Sequence, residues 1–280
     1  MTDGPKAPTG PRPASLPTTH RAVTRYTPDA AMDLRDDLLA AEEPLEIVVD
    51  GLALAVLLRS PTDSAADRAL AAGFLLAEGI IMERADVTRI EPCRDPMSRG
   101  NRVHVALAPG VVLPEAARRV FVSSASCGLC GKATLDSLHQ RIPQRDPPPA
   151  ASATDLAQLS DLARPHQVAF AATGSVHGAA IFRGQDLVVL HEDVGRHNAV
   201  DKVIGERLLA GALPLHGLTL WVSGRVSFEL VQKALIAGLD TLVAVGGPTA
   251  LAVDLAVTHG LNLIGFCRDG RMNLYSGSLF

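Results

Sequence analysis

The chain has 280 residues, with 26 Lys and Arg against 30 Asp and Glu, so its formal net charge is −4. A chain that is 47% hydrophobic and so nearly neutral can offset the entropy lost on folding by burying a core, which excludes global disorder. The small net charge argues against a nucleic-acid partner bound through its phosphates, and an aromatic content of 4% argues against stacking platforms for single strands.

Residues 1–22 contain five prolines among Thr, Ser and Gly and show no apolar period, so we predict a disordered tail. The tail lacks the apolar core of a signal peptide, and the apolar stretches elsewhere are too short to cross a membrane. We therefore expect a cytoplasmic protein without a membrane partner, in which the four cysteines are reduced.

Residues 23–123 are predicted to form a small α+β domain. The pair Asp50-Gly51 lies between apolar runs at 45–49 and 52–58, which indicates a two-residue β-hairpin because both turn positions favour positive φ. A capping pattern at Ser64 opens a helix, and Gly79 is placed to end it. Two further strands are predicted over residues 101–107 and 118–123.

A breaker cluster at 141–150 belongs to a predicted linker over residues 124–153, which also holds a Cys-x-x-Cys loop. Residues 154–280 then repeat a strand, loop and helix pattern, which predicts an α/β layered domain with a mainly parallel or mixed sheet. In its first unit a strand over 187–190 is followed by a helix from about Asn198.

The last predicted helix follows Gly246-Gly247 and is apolar nearly all round, with Pro248 near its first position and Gly260 after its end. Such a helix is expected to be buried. Two closing strands are predicted over residues 261–266 and 271–275, joined by a hairpin-like turn.

The motif Cys127-Gly-Leu-Cys130 is the sharpest chemical feature of the sequence. Its spacing suits half of a tetrahedral zinc site, a dithiol–disulfide redox pair, or a nucleophilic thiolate that carries a transferable group. Zinc would need further ligands, and the sequence has no second Cys-x-x-Cys and no paired-His motif. The spacing alone leaves zinc, redox or sulfur transfer, and a structural role open.

The zinc deaminases pair a His-x-Glu motif with a later Pro-Cys-x-x-Cys. Here the Cys-x-x-Cys comes first and has no Pro before it, and His191 and Glu192 are adjacent. The metal signature is therefore absent, and we expect neither deaminase chemistry nor a bound metal.

Three strand-to-helix loops of the second domain contain Gly195-Arg196, Gly224-Arg225 and Gly246-Gly247. Helix N-termini and guanidinium groups at one sheet edge form an anion site suited to phosphate or pyrophosphate. Ordinary tight turns with solvated arginines are the alternative for each loop.

Two histidines and two cysteines have less specific patterns. His197 and Asp201 are four residues apart on a predicted helix and could form a structural pair. His177 is either a satisfied core histidine or a ligand contact. Cys93 and Cys267 have no partner at motif spacing, so we interpret both as packing or incidental thiols.

Six segments match one known family in chain order. They are Ser126-Cys-Gly-Leu-Cys-Gly131, Thr173-Gly-Ser-Val-His177, Glu192-Asp-Val-Gly-Arg-His-Asn-Ala-Val-Asp-Lys202, Ser223-Gly-Arg-Val-Ser-Phe-Glu-Leu-Val-Gln-Lys-Ala234, Pro248-Thr-Ala-Leu-Ala-Val253 and Gly265-Phe-Cys-Arg-Asp-Gly-Arg271. Together, from about residue 40 to about 276, they resemble the FdhD family of formate dehydrogenase accessory sulfurtransferases. Gly224 departs from the Ser or Cys expected there, and the tail has no counterpart in the family.

The resemblance implies a cytoplasmic factor that takes persulfide sulfur from a cysteine desulfurase and passes it to the bis-molybdopterin guanine dinucleotide cofactor, which formate dehydrogenase needs. It implies a homodimer, and a guanine nucleotide as a mimic of the cofactor. The implied fold class is α/β (α+β overall), with a cytidine-deaminase-like layered domain over residues 154–280 and a smaller α+β domain before it. A non-catalytic cofactor-binding chaperone for formate dehydrogenase is the alternative function, and a zinc-stabilised module is a second.

The implied roles transfer to matching positions of this sequence. Cys127 matches the persulfide carrier, and Cys130 matches the second thiol of the motif. The cofactor-binding stretch corresponds to Phe266, Cys267, Arg268, Asp269, Gly270 and Arg271. The remaining predicted cofactor-binding residues are Arg196, His197, Arg225 and His177.

Overall fold

The computed structural model describes residues 18–28, 32–98, 100–113, 121–122, 142 and 146–280. Cys127 and Cys130 lie outside the described residues, as do most of the predicted linker and the first part of the predicted tail. The described strands form three sheets.

A two-stranded antiparallel sheet contains β1 (Thr18–Arg25) and β2 (Asp33–Ala40). The predicted tail extended to residue 22, so the strand begins five residues before the predicted boundary and the tail prediction is wrong for residues 18–22. Cross-strand pairing with β2 supplies the backbone partners, which a composition argument does not reveal.

A five-stranded sheet contains β3 (Glu43–Val49), β4 (Leu52–Arg59), β5 (Val87–Pro92), β6 (Arg102–Leu107) and β7 (Phe121–Val122). Their order in the sheet is β5-β6-β3-β4-β7. The predicted hairpin at Asp50 and Gly51 is confirmed, because both residues have positive φ, 47° and 82°. Of the strand predicted over 118–123, the described part is the two-residue strand β7.

Helix α1 (Ser64–Ala77) packs against this sheet, close to its predicted position. Its cap is Asp63 and not Ser64, since the Asp63 carboxylate accepts hydrogen bonds from the N–H groups of Ala65 and Ala66 at 2.9 and 2.8 Å. Gly79 follows the helix with φ 64°, as predicted.

The largest described sheet has six strands: β8 (His177–Arg183), β9 (Asp186–Asp193), β10 (Thr219–Val222), β11 (Thr241–Ala244), β12 (Asn262–Arg268) and β13 (Arg271–Ser276). Their order in the sheet is β13-β12-β11-β10-β8-β9. Strands β10, β11 and β12 run parallel, while β8 is antiparallel to both its neighbours and β13 is antiparallel to β12.

Helices cover both faces of this mixed sheet. Alternate residues of each strand point to opposite faces, so Trp221 packs under one layer while Leu220 and Val222 pack under the other. The helices are α2 (Ala153–Ala163), α3 (Val168–Thr173), α4 (Arg196–Leu209), α5 (Phe228–Ile236) and α6 (Ala250–Thr258). Helix α2 covers the Trp221 face, and α4, α5 and α6 cover the opposite face. Short 3₁₀ turns lie at Arg84–Asp86, Pro96–Ser98 and Arg164–His166.

Two predictions about these helices need correction. Helix α4 begins at Arg196, two residues before the expected start near Asn198, and Gly195 with extended backbone is its N-cap. Helix α6 begins after Thr249, which caps it, and it is buried on one face only. Leu251 and Val257 on its other face are 54% and 61% exposed, so the expected full burial is wrong.

The two predicted domains share one hydrophobic core, in which side chains of the five-stranded sheet pack with those of α4 and α5. Helices α1 and α4 approach so closely that a Cβ at Gly73 would lie 2.0 Å from the carbonyl oxygen of Asp201. A Cβ at Gly205 would lie 1.9 Å from the carbonyl oxygen of Ala69. The α/β fold class is confirmed, and the proposed domain boundary does not separate two cores.

Candidate functional site

The three predicted loops meet at one edge of the six-stranded sheet. This edge holds the C-terminal ends of β9, β10 and β11 and the first residue of β8, since His177 pairs with Asp193 in the register of β8 and β9. The Ser223 hydroxyl accepts a hydrogen bond from the Gly178 N–H at 2.9 Å, and the Ser223 N–H donates to the Gly178 carbonyl at 2.9 Å. The predicted meeting of these loops is therefore confirmed.

Backbone hydrogen bonds join the neighbouring loops after β10 and β11. The Gly246 N–H donates to the Gly224 carbonyl at 3.1 Å, and the Val226 N–H donates to the Gly247 carbonyl at 3.1 Å. A Cβ at Gly246 would lie 2.9 Å from the Gly224 carbonyl oxygen, so a larger residue would separate the loops.

His177 and Arg196 converge on Gly224. A Cβ at Gly224 would lie 3.4 Å from Nδ1 of His177 and 3.8 Å from Cδ of Arg196. Burial lowers the pKa of His177 below its ordinary value, and the positive charge of Arg196 lowers it further, while Asp193 partly offsets the change. The neutral form of the His177 ring is therefore favoured.

Three polar atoms at this edge are buried and lack an aligned hydrogen-bond partner within the described ranges: Nε of Arg196, Nδ1 of His197 and Oγ of Ser227. Arg196 is the first residue of α4, and Ser227 directly precedes α5 without capping it. The Arg225 side chain is exposed. These donors and the two helix N-termini suit an anionic ligand such as a phosphate.

Phe266 lies over the loop after β11. Its N–H donates to the Gly246 carbonyl at 3.0 Å, and its ring would lie 2.6 Å from a Cβ at Gly247. Phe266 adopts φ 53°, which non-glycine residues rarely do, and its side chain is 43% exposed. The Phe266 ring therefore packs against the loop after β11, and this contact requires a residue without a side chain at position 247.

The predicted turn after Phe266 is a two-residue hairpin. Arg268 pairs with Arg271, and Asp269 and Gly270 both have positive φ, 53° and 69°. The side chains of Arg268, Asp269 and Arg271 are exposed. They are available to a ligand, as the predicted cofactor-binding stretch requires.

Cys267 departs from the rest of that stretch. Its side chain is fully buried on the α2 face, where Sγ donates to the Leu156 carbonyl at 3.2 Å. Burial raises the pKa of the Cys267 thiol to about 11. The packing interpretation of Cys267 therefore holds, and only its backbone can contact a ligand. Cys93 is a free, half-buried thiol.

His197 does not pair with Asp201, although the two share a helix face. Nδ1 of His197 lies 3.1 Å from a carboxylate oxygen of Glu229 on α5, and Asp201 binds Lys233 at 2.6 Å. Glu229 and Lys233 were missing from the predicted site. Their i, i+4 spacing was a visible signal, but it is equally typical of a solvated helix pair.

The described part of the chain contains no group of three or more His, Cys, Asp or Glu residues that could hold a metal ion. Within the same residues, no helix is both long enough and apolar enough to cross a membrane.

Comparison with known proteins gives a consistent result. A model of the FdhD/NarQ family matches residues 40–279. A protein of Streptomyces avermitilis, named sulfur carrier protein FdhD, is 48% identical over 93% of this chain and 94% of its own length. The protein of the same name from Mycobacterium tuberculosis is 43% identical over 92% of this chain and 96% of its own.

One solved structure is similar over nearly the whole chain. It is described as a formate dehydrogenase accessory protein from Desulfotalea psychrophila, with a TM-score of 0.73 and 23% sequence identity. The alignment covers 94% of this chain and 98% of that one. This likeness concerns the fold.

Proposed function

The chain belongs to the FdhD/NarQ family, and we propose that it is a sulfur carrier in the maturation of formate dehydrogenase. It accepts sulfur from a cysteine desulfurase as a persulfide on Cys127 and transfers that sulfur to bis-molybdopterin guanine dinucleotide. Sulfur carriage is supported by the names of curated relatives that are 43–48% identical. The link to formate dehydrogenase is supported by the description of the similar solved structure.

The chemistry proposed for Cys127 is that of a sulfurtransferase. The thiolate of Cys127 attacks the terminal sulfur of the desulfurase persulfide, a new S–S bond forms on Cys127, and the desulfurase cysteine leaves as a thiolate. Cys130 is the second thiol, which displaces the carried sulfur or protects it. The reaction belongs in the cytoplasm, where thiols are kept reduced.

The cargo site is the sheet edge that holds His177, Arg196 and Arg225, with His197 beside them. The observation that carries this assignment is the convergence of His177 and Arg196 on Gly224. A guanine dinucleotide carries a pyrophosphate, which suits guanidinium groups and helix N-termini. The exposed turn from Phe266 to Arg271 supplies the outer wall, and a homodimer brings two such sites to one cofactor.

Labelled sulfur tests the carrier role. The protein is incubated with a cysteine desulfurase and ³⁵S-cysteine, and the label is mapped by non-reducing peptide analysis. We expect label on Cys127 in the wild type, none in Cys127→Ser, and unchanged label in the matched control Cys93→Ser. Undiminished label in Cys127→Ser would contradict the assignment.

The same variants separate the carrier from a cofactor-binding chaperone. A chaperone that uses its thiols only for structure would still mature active formate dehydrogenase as Cys127→Ser. A sulfur carrier would not. Light scattering of the purified protein tests the proposed homodimer.

A further inference from the structure

The predicted cofactor-binding stretch begins at a β-bulge between β12 and β13. The register of the two strands shifts by one residue between residues 265 and 268 of β12. Phe266 and Cys267 therefore lie together opposite the single residue Met272. A bulge re-aims the side chains next to it. Here the Phe266 side chain is 43% exposed at the sheet edge, whereas the Cys267 side chain is fully buried on the α2 face.

The backbone of Phe266 is strained at this bulge. Its φ of 53° lies in the left-handed region, which a residue with a bulky side chain rarely enters. Such a conformation persists only where the surrounding structure holds it in place. One support is the hydrogen bond from the Phe266 N–H to the Gly246 carbonyl at 3.0 Å. A second support acts on the following residue, Cys267.

Ser160 of α2 provides this second support. Its hydroxyl donates to the Cys267 carbonyl at 2.7 Å, and the indole Nε1 of Trp221 donates to the same hydroxyl oxygen at 3.1 Å. The direction of both bonds is fixed, because an indole N–H can only donate and a hydroxyl has a single proton. The proton of the Ser160 hydroxyl is therefore committed to the Cys267 carbonyl.

The link from α2 to the bulge is buried along its whole length. Ser160 is 8% exposed, Trp221 1% and Cys267 0%. Since water does not replace a lost partner in such surroundings, a broken hydrogen bond leaves a buried polar group unsatisfied. The Cys267 thiol adds a weaker contact by donating to the Leu156 carbonyl of α2 at 3.2 Å. Both the backbone and the side chain of Cys267 therefore attach the bulge to α2.

We propose that Ser160 is a positioning residue for the candidate site, which holds the bulge in place and thereby keeps the Phe266 ring over the loop after β11. Ser160 lies on the sheet face opposite α4 and α5, so it acts through the bulge and not by contact with a ligand. The inference rests on the proposed function for the ligand, which is a guanine nucleotide. If only a fraction of the molecules hold the ring in place, the apparent affinity for that ligand falls by the same fraction.

Thr241 offers a matched control on the same sheet. It is 4% exposed and begins β11, at the end of the strand opposite the candidate site. Its hydroxyl oxygen accepts a hydrogen bond from the Asn262 amide at 3.3 Å. Thr241→Val removes a buried hydroxyl, as Ser160→Ala does. A general loss of stability affects both variants, whereas a loss of positioning affects Ser160→Ala alone.

The first test uses the free protein and needs no ligand. Amide hydrogen exchange, followed by NMR, measures how often the hydrogen bond from the Phe266 N–H to Gly246 opens. We expect Ser160→Ala to speed this exchange about 5- to 10-fold, and Thr241→Val to leave it unchanged. Ser160→Cys keeps a weak donor, so it should lie between them, and it keeps the test available if Ser160→Ala does not fold. An unchanged rate in the Ser160 variants, or an equal rise in Thr241→Val, overturns the proposal.

The second test is a double-mutant cycle on nucleotide binding. Calorimetry measures the affinity for guanosine diphosphate of the wild type, Ser160→Ala, Phe266→Ala and the double variant. Ser160→Ala alone should lower the affinity about 5- to 10-fold. It should have little further effect in the Phe266→Ala background, because Ser160 acts through that ring. Full additivity of the two changes contradicts the proposal. If the wild type does not bind guanosine diphosphate, the proposed cargo site fails, while the exchange measurement still decides the role of Ser160.

Discussion

Nζ of Lys202 lies 2.6 Å from Oδ2 of Asp193, and neither side chain has exposed surface. Asp193 also accepts hydrogen bonds from the Gly195 N–H at 2.9 Å and from the Asn198 amide at 3.0 Å. Lys202 donates to the Ser60 carbonyl at 3.3 Å. The pair therefore holds the start of α4, with Arg196 in it, against the segment between β4 and α1.

Substitution of Lys202 should destabilise the fold strongly. In Lys202→Met the Asp193 carboxylate is left buried without its cation, which costs about 3–5 kcal/mol in the free energy of unfolding. Urea denaturation measures this change. The control is Arg207→Met on the same helix, where the contact with Glu206 is 3.9 Å and partly exposed, and the loss should stay below about 1 kcal/mol. Equal losses in both variants would contradict the special role of the buried pair.

Gly73→Ala should destabilise the protein although alanine favours helices. At an open helix position this change stabilises by about 1 kcal/mol. At Gly73 the new Cβ would lie 2.0 Å from the backbone of Asp201, so α1 and α4 must separate at a cost of about 1–3 kcal/mol or more. Thermal or urea denaturation measures the change in the free energy of unfolding, which we expect to be a loss. A gain in stability would show that the helices do not cross this closely.

Asp201 should give the stability a specific pH dependence. Burial raises the pKa of Asp201 from 3.8 to about 6, and Glu229 adds to the rise, while Lys233 partly offsets it. Between these two pH values the folded protein binds more protons at Asp201 than the unfolded chain, so the contribution of Asp201 to stability falls as the pH rises through this window.

Asp201→Asn removes this contribution. The stability of the wild type relative to Asp201→Asn should therefore be greater at pH 5 than at pH 7, as measured by urea denaturation at each pH. A relative stability that rises with pH would mean that the pKa of Asp201 is lowered in the folded protein.

Loss of a guanidinium group at the sheet edge should weaken nucleotide binding. Guanosine diphosphate serves as the probe, and calorimetry measures its affinity. Arg196→Gln should lower the affinity about 10- to 100-fold, since hydrogen bonds to charged groups contribute about 1.5–3 kcal/mol. Arg183→Gln, at the opposite end of β8 and exposed, should leave it unchanged. Equal effects of the two variants would place the nucleotide elsewhere.

Local sequence signals predicted the turns of this fold well. Asp50-Gly51 and Asp269-Gly270 both form the tight turns expected of them, because their positive φ values are a property of two adjacent residues. The strand, loop and helix pattern also predicted the shared sheet edge, since parallel strands bring equivalent loops together.

Features that depend on contacts between residues far apart in the chain could not be predicted from the sequence. The strand at residues 18–22 exists through its pairing with β2, and β9 extends to Asp193 through its pairing with His177. His197 and Asp201 do lie on one helix, as their i, i+4 spacing predicted, but they do not pair with each other. Helix α5 packs beside them and supplies Glu229 as the neighbour of His197 and Lys233 as the partner of Asp201. Cys127 and Cys130 remain predictions, because they lie outside the described residues.

The tight crossing of α1 and α4 has a consequence for how the family can vary. The backbone of Ala69 fills the space at Gly205, and the backbone of Asp201 fills the space at Gly73. A larger residue at either glycine would tilt α4, whose first residues are Arg196 and His197. We therefore expect residues 73 and 205 to covary in size among relatives. Helix α1, which belongs to the first part of the chain and carries none of the predicted cofactor-binding residues, would then determine how accurately Arg196 and His197 are placed at the binding edge.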